Sequence, residues 1–333
     1  MTDTARSEVP EQSEHPTFTN AHAQMCAVIT AVTNAWGDEG QALLRRTYRE
    51  LGHRTGEQMI RTGIVPAGAD LETYGRVSEQ IMDTCGLEGW TRVPTSREEH
   101  RTIVPGCADY LPLFEFLEAP DNVCSLPFEW DNGCLDVINA DLQIWPTTCV
   151  YRSESQCHYV ISHREETTRP ETPTVPTTRA GERVAVRNEP TWTNPTAGFL
   201  ALIGSTSLHY PEEGLEVLRP ALRALGARAG QDELAGADQT VESVAETLVR
   251  RYRAAGFVDA ELQPQADGSV LVDLGGNPYG PVLDHFSSHQ AASELFHEYD
   301  AGWSSAAPDV AITTVKDGWL DASSHVLSVA SVR

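Results

Sequence analysis

The sequence predicts an α+β protein made of two tandem copies of one domain, each with helices packed on an antiparallel sheet, the copies related by a pseudo-twofold axis. Three observations lead there. Long stretches carry apolar residues three and four apart, and short β-prone runs follow them. A stretch rich in proline and threonine, residues 165–195 with TTRPETPTVPTTR inside it, divides the chain and reads as an extended linker. The pattern that precedes this stretch returns after it. The predicted organisation is a disordered leader (1–18), a first domain (19–164), the linker (165–195) and a degenerate second copy (196–333).

In the first copy, Asn20 to Trp36 is apolar at helical spacing. Gly37, Asp38 and Glu39 break that helix and open a second, where acidic residues suit the positive end of the dipole. Leu43, Leu44, Tyr48, Leu51 and Met59 form its apolar stripe, and Gly52 and Gly56, one turn apart, suggest close approach by another backbone. A third helix is expected over Leu71 to Cys85, then strands near Trp90 to Pro94 and Arg101 to Val104. Ala108 to Glu118 and Phe128 to Ile138 read as helices. Leu142 to Tyr151 and Gln156 to Ser162 read as a hairpin that turns at Arg152 to Ser155.

The repeat is explicit. Residues 29–56 lie over 203–230 at a constant offset, with Glu39/Glu213, Gly40/Gly214, Leu44/Leu218, Arg45/Arg219, Leu51/Leu225, Gly52/Gly226, Arg54/Arg228 and Gly56/Gly230 identical. After small shifts, Val77, Glu79 and Gly89 match Val244, Glu246 and Gly256. Tyr110, Pro112, Glu129 and Asp131 match Tyr279, Pro281, Glu298 and Asp300, and Asp141 and Ile144 match Asp309 and Ile312. Two such copies on one chain are expected to pack as an intramolecular pseudo-dimer. The mismatches concern chemistry: Cys107 falls on Gly276, Cys124 on Ser293 and Cys157 on His325.

Composition narrows the function. A net charge of −24 argues against nucleic acid and against anionic membrane surfaces. Lys316 is the single lysine beside 23 arginines, which disfavours Schiff-base and pyridoxal-phosphate chemistry. No apolar run approaches the roughly 18 residues that span a bilayer. Met1 to Thr17, polar and acidic, does not read as a signal peptide. Seven cysteines (26, 85, 107, 124, 134, 149 and 157), an odd number, suit free thiols in a reducing cytoplasm.

Cys107 is the leading candidate nucleophile. It sits on the Pro105–Gly106 turn between a predicted strand and a predicted helix, where unpaired N–H groups favour a thiolate. The competing reading is a small buried cysteine.

Residues 20–163 resemble the L-2-amino-thiazoline-4-carboxylic acid hydrolase-like family of bacteria. The likeness rests on AWGDEGQALLRRTYRELGHRTGEQM, on TIVPGCADYLPLFEFL and on NADLQIWPTTCVYRSESQCHYVI. Asn139, Ala140, Asp141 and Leu142 stand where the family has Asn-Pro-Asp-Leu, and Ala108 follows the turn cysteine where proline is common. The resemblance implies ring opening of a cyclic amidine by water at an sp² carbon bonded to nitrogen and sulfur. Such chemistry needs a thiolate or activated water, stabilisation of developing charge, and a proton for the leaving nitrogen.

Asp109, Asp131, Asp141 and His158 are the acid/base candidates, and Tyr110, Asn139, Cys149 and Cys157 the substrate-binding ones. Each has a plainer alternative: Asp109 as a helix cap, Asp131 and Asp141 as structural acceptors because they recur in the cysteine-free copy, Asn139 as an Asx turn. Cys157 and His158 alternate along a strand, so only one of them can face a pocket. A cysteine zinc site lacks any Cys-x-x-Cys spacing. In the second copy, His285, His289 and His297 are spaced for one helix face and could hold a metal, or lie at the surface. No other cofactor is implied. The reading is an enzyme of secondary metabolism acting on a small cyclic amide, amidine or thiazoline. The alternatives are a ligand-binding sensor, since the fold also resembles the small-ligand domains named after vinyl reductases, and a metalloprotein built on the three histidines.

Overall fold

A computed structural model describes residues 21–84, 91–93, 99–104, 110–121, 123–148, 157–164, 192, 195–234, 238–321 and 323–332. The predicted leader, most of the predicted linker and the Arg152 to Ser155 turn lie outside the described residues. The protein is a mixture of helices and two four-stranded antiparallel sheets, in keeping with the α+β class. The first half runs α1 (Ala21–Arg61), α2 (Leu71–Thr84), β1 (Thr91–Val93), β2 (Glu99–Val104), α3 (Leu111–Leu117), α4 (Phe128–Ile138), β3 (Leu142–Thr148) and β4 (Cys157–His163). The second runs α5 (Pro195–His209), α6 (Gly214–Glu233), α7 (Val241–Ala254), β5 (Glu261–Pro264), β6 (Val270–Gly276), α8 (Gly280–His285), α9 (His289–Ser304), β7 (Val310–Lys316), α10 (Gly318–Asp321) and β8 (Ser324–Ser331). Among the described residues, no helix is long and apolar enough to cross a membrane.

Gly37, at φ 53° and ψ −129°, divides α1 into the two helices expected from the sequence. The later segment crosses α4 with almost no space between backbones. A Cβ on Gly52 would fall inside the radius of the Trp130 carbonyl oxygen and 2.9 Å from Cα of Gly133. One on Gly56 would meet the carbonyl of Cys134 at 2.9 Å. Arg49 closes the crossing by binding Glu129 at 2.9 Å. In the second half α6 crosses α9 in the same way. Gly226 and Gly230 meet the carbonyls of Tyr299 and Trp303, and Arg223 pairs with Glu298 at 3.3 Å.

The sheets have the orders β1-β2-β4-β3 and β5-β6-β8-β7. One irregularity is shared, a bulge in the third strand of each, between Pro146 and Thr148 and between Thr314 and Lys316, whereas β6 carries another between Asp273 and Gly276. Arg164 N–H donates to the Asp141 carbonyl at 2.7 Å, and Val332 N–H to Asp309 at 2.8 Å. The only non-glycine residues described with positive φ are Glu118 (52°) and Ser287 (50°), each just past the helix capped by Tyr110 or Tyr279.

One part of the internal alignment is corrected. Asp70 accepts the Thr73 N–H at the start of α2, and Thr240 accepts that of Ser243 at the start of α7. The first nine residues of the two helices share one order of buried and exposed positions. Superposing the two helix starts sets Tyr74 against Val244 and Glu79 against Val249, three residues away from the pairing of Val77 with Val244. Identity at Val and Glu had outweighed the cap, although the cap fixes where a helix begins.

A continuous apolar core joins the early part of α1, α3, α5, α6, α7, α9 and the second sheet. Met25 lies against Gly198, and Trp36 stacks on Tyr210 with ring centres 3.8 Å apart. A second cluster fills the space between α2, α4 and the first sheet, and includes Met59, Tyr74, Cys134, Cys157 and Tyr159.

Candidate functional site

The inner face of the first sheet is set by strand alternation. Val104 pairs with Cys157, Thr102 with Tyr159 and His100 with Ile161, and all six side chains are buried toward the helices. His158 pairs with Ile103 on the other face. The candidate His158 thus lies across the sheet from Cys157, because adjacent strand residues point oppositely.

Helix α4 lays Asp131 and Cys134 over this face, and α2 adds Tyr74 and Ser78. Asp131 is partly exposed, yet burial pushes its pKa from the usual 3.8 up to about 7. Among the described residues no cation offsets that rise. The Tyr74 hydroxyl is fully buried and has no hydrogen-bond partner among them. Burial raises its pKa well above normal, and the charges of Cys134, Asp131 and Tyr159 add to the effect. Tyr159 is raised by burial too, although the neighbouring Thr102 and Ser78 hydroxyls work against it. Cys134 is likewise held protonated, by burial and then by Asp131 and Asp136. The result is a set of neutral hydroxyls and one neutral thiol around a carboxyl poised near neutrality. Such a group can both give and take a proton.

Behind them a buried glutamate pairs with an exposed arginine. Glu79 accepts Arg92 Nε at 2.8 Å and faces His100 Nε2 at 3.1 Å. Burial opposes its charge, but Arg92 and His100 hold its pKa below normal. A Cβ on Gly75 would strike the His100 ring at 2.5 Å, so glycine is what admits the imidazole.

The other candidates do not converge here. Cys107, Asp109 and Cys149 lie outside the described residues. Asn139 and Asp141 sit six residues along the sheet from the Cys157 end, roughly 20 Å away. Asn139 Oδ1 accepts the Asp141 N–H at 3.1 Å and its Nδ2 donates to the Ala69 carbonyl at 2.9 Å, an Asx turn that also anchors the approach to α2. Tyr110 caps α3, stacks on Phe114 and packs on the larger core.

The three histidines proposed as metal ligands are separated by a helix break. Helix α8 ends at His285, Ser287 takes a left-handed turn, and α9 begins at His289. His285 binds Glu50 at 2.9 Å, His289 spans Asp284 and the Trp319 carbonyl, and His297 meets Thr314 at 2.7 Å. Among the described residues no group of three or more side chains is arranged to hold a metal.

The corresponding interior of the second half is filled. Asp300, which the sequence repeat aligns with Asp131, accepts hydrogen bonds from Arg251 and from the Tyr252 hydroxyl at 2.8 Å. Trp319 stacks on Phe296 with centres 4.0 Å apart and meets Phe257 edge-on. Val270, Val272 and Leu327 occupy the strand positions of His100, Thr102 and Tyr159. A groove of about 520 Å³ does exist beside α7 and β5, lined by Glu246, Val249, Arg250, Arg253, Glu261 and Leu262, but it lies outside this interior.

No protein-family model matches the chain, and no curated protein matches it in sequence. Tyr74 and Tyr159 escaped sequence reasoning because a buried tyrosine on an amphipathic helix or strand looks like any core aromatic. Only the alternation of Tyr159 with His158, next to Cys157, carried a signal.

Proposed function

We propose that the chain is a duplicated small-molecule hydrolase whose chemistry resides in the first half. The two copies span 19–164 and 196–333 and pack as an intramolecular pseudo-dimer. The coincident bulges, left-handed helix ends and glycine crossings support the duplication, since a shared irregularity is harder to reach independently than a shared helix. The stack of Trp36 on Tyr210, residues equivalent in the repeat, is what a twofold axis produces.

The substrate is a small cyclic compound with a hydrolysable C–N or C–S bond at an sp² carbon, of amidine, amide or thiazoline type. One observation supports this reading: Asp131, with no compensating cation among the described residues and beside a Tyr74 hydroxyl with no partner among them, has the proton affinity of a general acid/base at neutral pH. Asp131, as the carboxylate, takes the proton of the attacking thiol or water and passes it to the leaving nitrogen. The nucleophile is the Cys107 thiolate or a water activated in its place. The second half is a structural partner, its equivalent space closed by Arg251, Trp303 and Trp319.

The test is turnover of 2-amino-thiazoline-4-carboxylate and related rings, followed by mass spectrometry. Asp131→Asn and Cys107→Ala are expected to lose turnover at least 100-fold while keeping the wild-type circular dichroism spectrum. Full activity in Asp131→Asn would exclude the role assigned to it.

A further inference from the structure

The second half shows what a carboxyl at this position takes as its partner. Asp300 is met by the planar guanidinium of Arg251 and by the Tyr252 hydroxyl. That guanidinium lies 5.2 Å from the Tyr299 ring centre and 4.9 Å from that of Trp303, so its charge is matched by a carboxylate on one side and by π faces on the others. Burial works against the charge, yet Asp300 and the neighbouring groups keep the Arg251 pKa above normal.

Among the described residues, the first half has the carboxyl but no cation beside it. Asp131 stands at the place of Asp300 and Trp130 at that of Tyr299. In the register fixed by the helix caps, Ile81 and Met82 stand at the places of Arg251 and Tyr252. Cys134 stands at the place of Trp303, a much smaller side chain where the bulky indole closes the second half. Here too the Tyr74 hydroxyl, within reach of the Asp131 charge, has no partner among the described residues. A planar hydrogen-bonding cation, a smaller side chain beside it and an orphaned hydroxyl mark the difference between the halves.

We propose that the first-half interior binds a small molecule bearing a planar N–C–N cation, a guanidinium or amidinium group, which pairs with the Asp131 carboxylate as Arg251 pairs with Asp300. The inference rests on the location of the site proposed above and narrows its ligand to the charged form. Binding takes the proton from Asp131 to solvent, because only the carboxylate forms the ion pair. Affinity therefore rises about tenfold per pH unit below pH 7 and levels off above it.

The experiment is isothermal calorimetry of the full chain with methylguanidine and with methylurea, its uncharged isostere, between pH 5.5 and 8.5. Methylguanidine is expected to bind at least tenfold more tightly than methylurea at pH 8, with a proton released at pH 6. Asp131→Asn is expected to abolish the preference, and Tyr74→Phe to weaken binding severalfold. Equal binding of the two probes, no binding of methylguanidine, or retention of the preference in Asp131→Asn would overturn the inference. Binding is read without turnover, so a protein that holds methylguanidine but hydrolyses nothing would leave this site standing and remove the hydrolase.

Discussion

The crossing of α1 and α4 offers a perturbation whose sign is decided by two opposed effects. Gly52→Ala in the middle of a helix gains about 1 kcal/mol from helix propensity alone. Against this, the new methyl group has nowhere to go. It would overlap the Trp130 carbonyl oxygen and lie 2.9 Å from Cα of Gly133, and both are backbone atoms of a helix held by its own hydrogen bonds. Overpacking a well-filled contact costs typically about 1–3 kcal/mol, and a clash with backbone belongs at or beyond the upper end. The net expectation is a loss of about 2 kcal/mol. Urea unfolding followed by circular dichroism measures it directly, with the slope of the transition as a check that the unfolded reference is unchanged. Gly226→Ala, at the same place in the α6–α9 crossing, should lose a similar amount. A Gly52→Ala protein as stable as wild type, or more so, would mean that the helices have room to part and would refute the packing argument.

The raised pKa of Asp131 makes a stability prediction with a definite sign. Its folded pKa, about 7, exceeds the usual 3.8, so the stability this carboxyl allows below pH 4 is lost as pH rises through 7. Asp131→Asn should therefore gain on wild type across that window, and a flat difference in unfolding free energy from pH 4 to pH 8 would contradict the assignment. Arg251→Met leaves Asp300 buried without its cation and is expected to cost about 3–5 kcal/mol in chemical denaturation; a loss below 1 kcal/mol would show the pair to be unimportant. Glu79→Gln is expected to cost about 2 kcal/mol, since Arg92 and His100 lose their shared acceptor; unchanged stability would count against the role of the buried carboxylate. Because His285, His289 and His297 hold separate partners, zinc should leave the thermal midpoint unaltered, and a rise that vanishes in His289→Ala would restore the metal reading.

What the sequence made legible was local. Periodicity placed the break at Gly37 and the helix from Phe128 to Ile138, and the pair Gly52 and Gly56 announced a close crossing before any partner was known. Strand alternation put Cys157 and His158 on opposite faces. What stayed hidden depended on distant partners or on a single backbone dihedral. Nothing near Glu79 in sequence names Arg92 and His100 as its companions. The three histidines looked co-helical because the turn at Ser287 is made by a serine, which carries none of the usual glycine or proline punctuation. The contrast between Asp131 and Asp300 in their described partners emerges only in the α2–α7 register that the helix caps give.

The continuous core that threads from α1 through α5 and α6 has a mechanical consequence. The early part of α1 and α3 is buried against the second half, so the two halves share one core beside the first half's own cluster. Cutting the chain within residues 165–191 should yield two fragments that remain clasped and melt in a single step, the covalent join having become incidental to a union maintained by hydrocarbon.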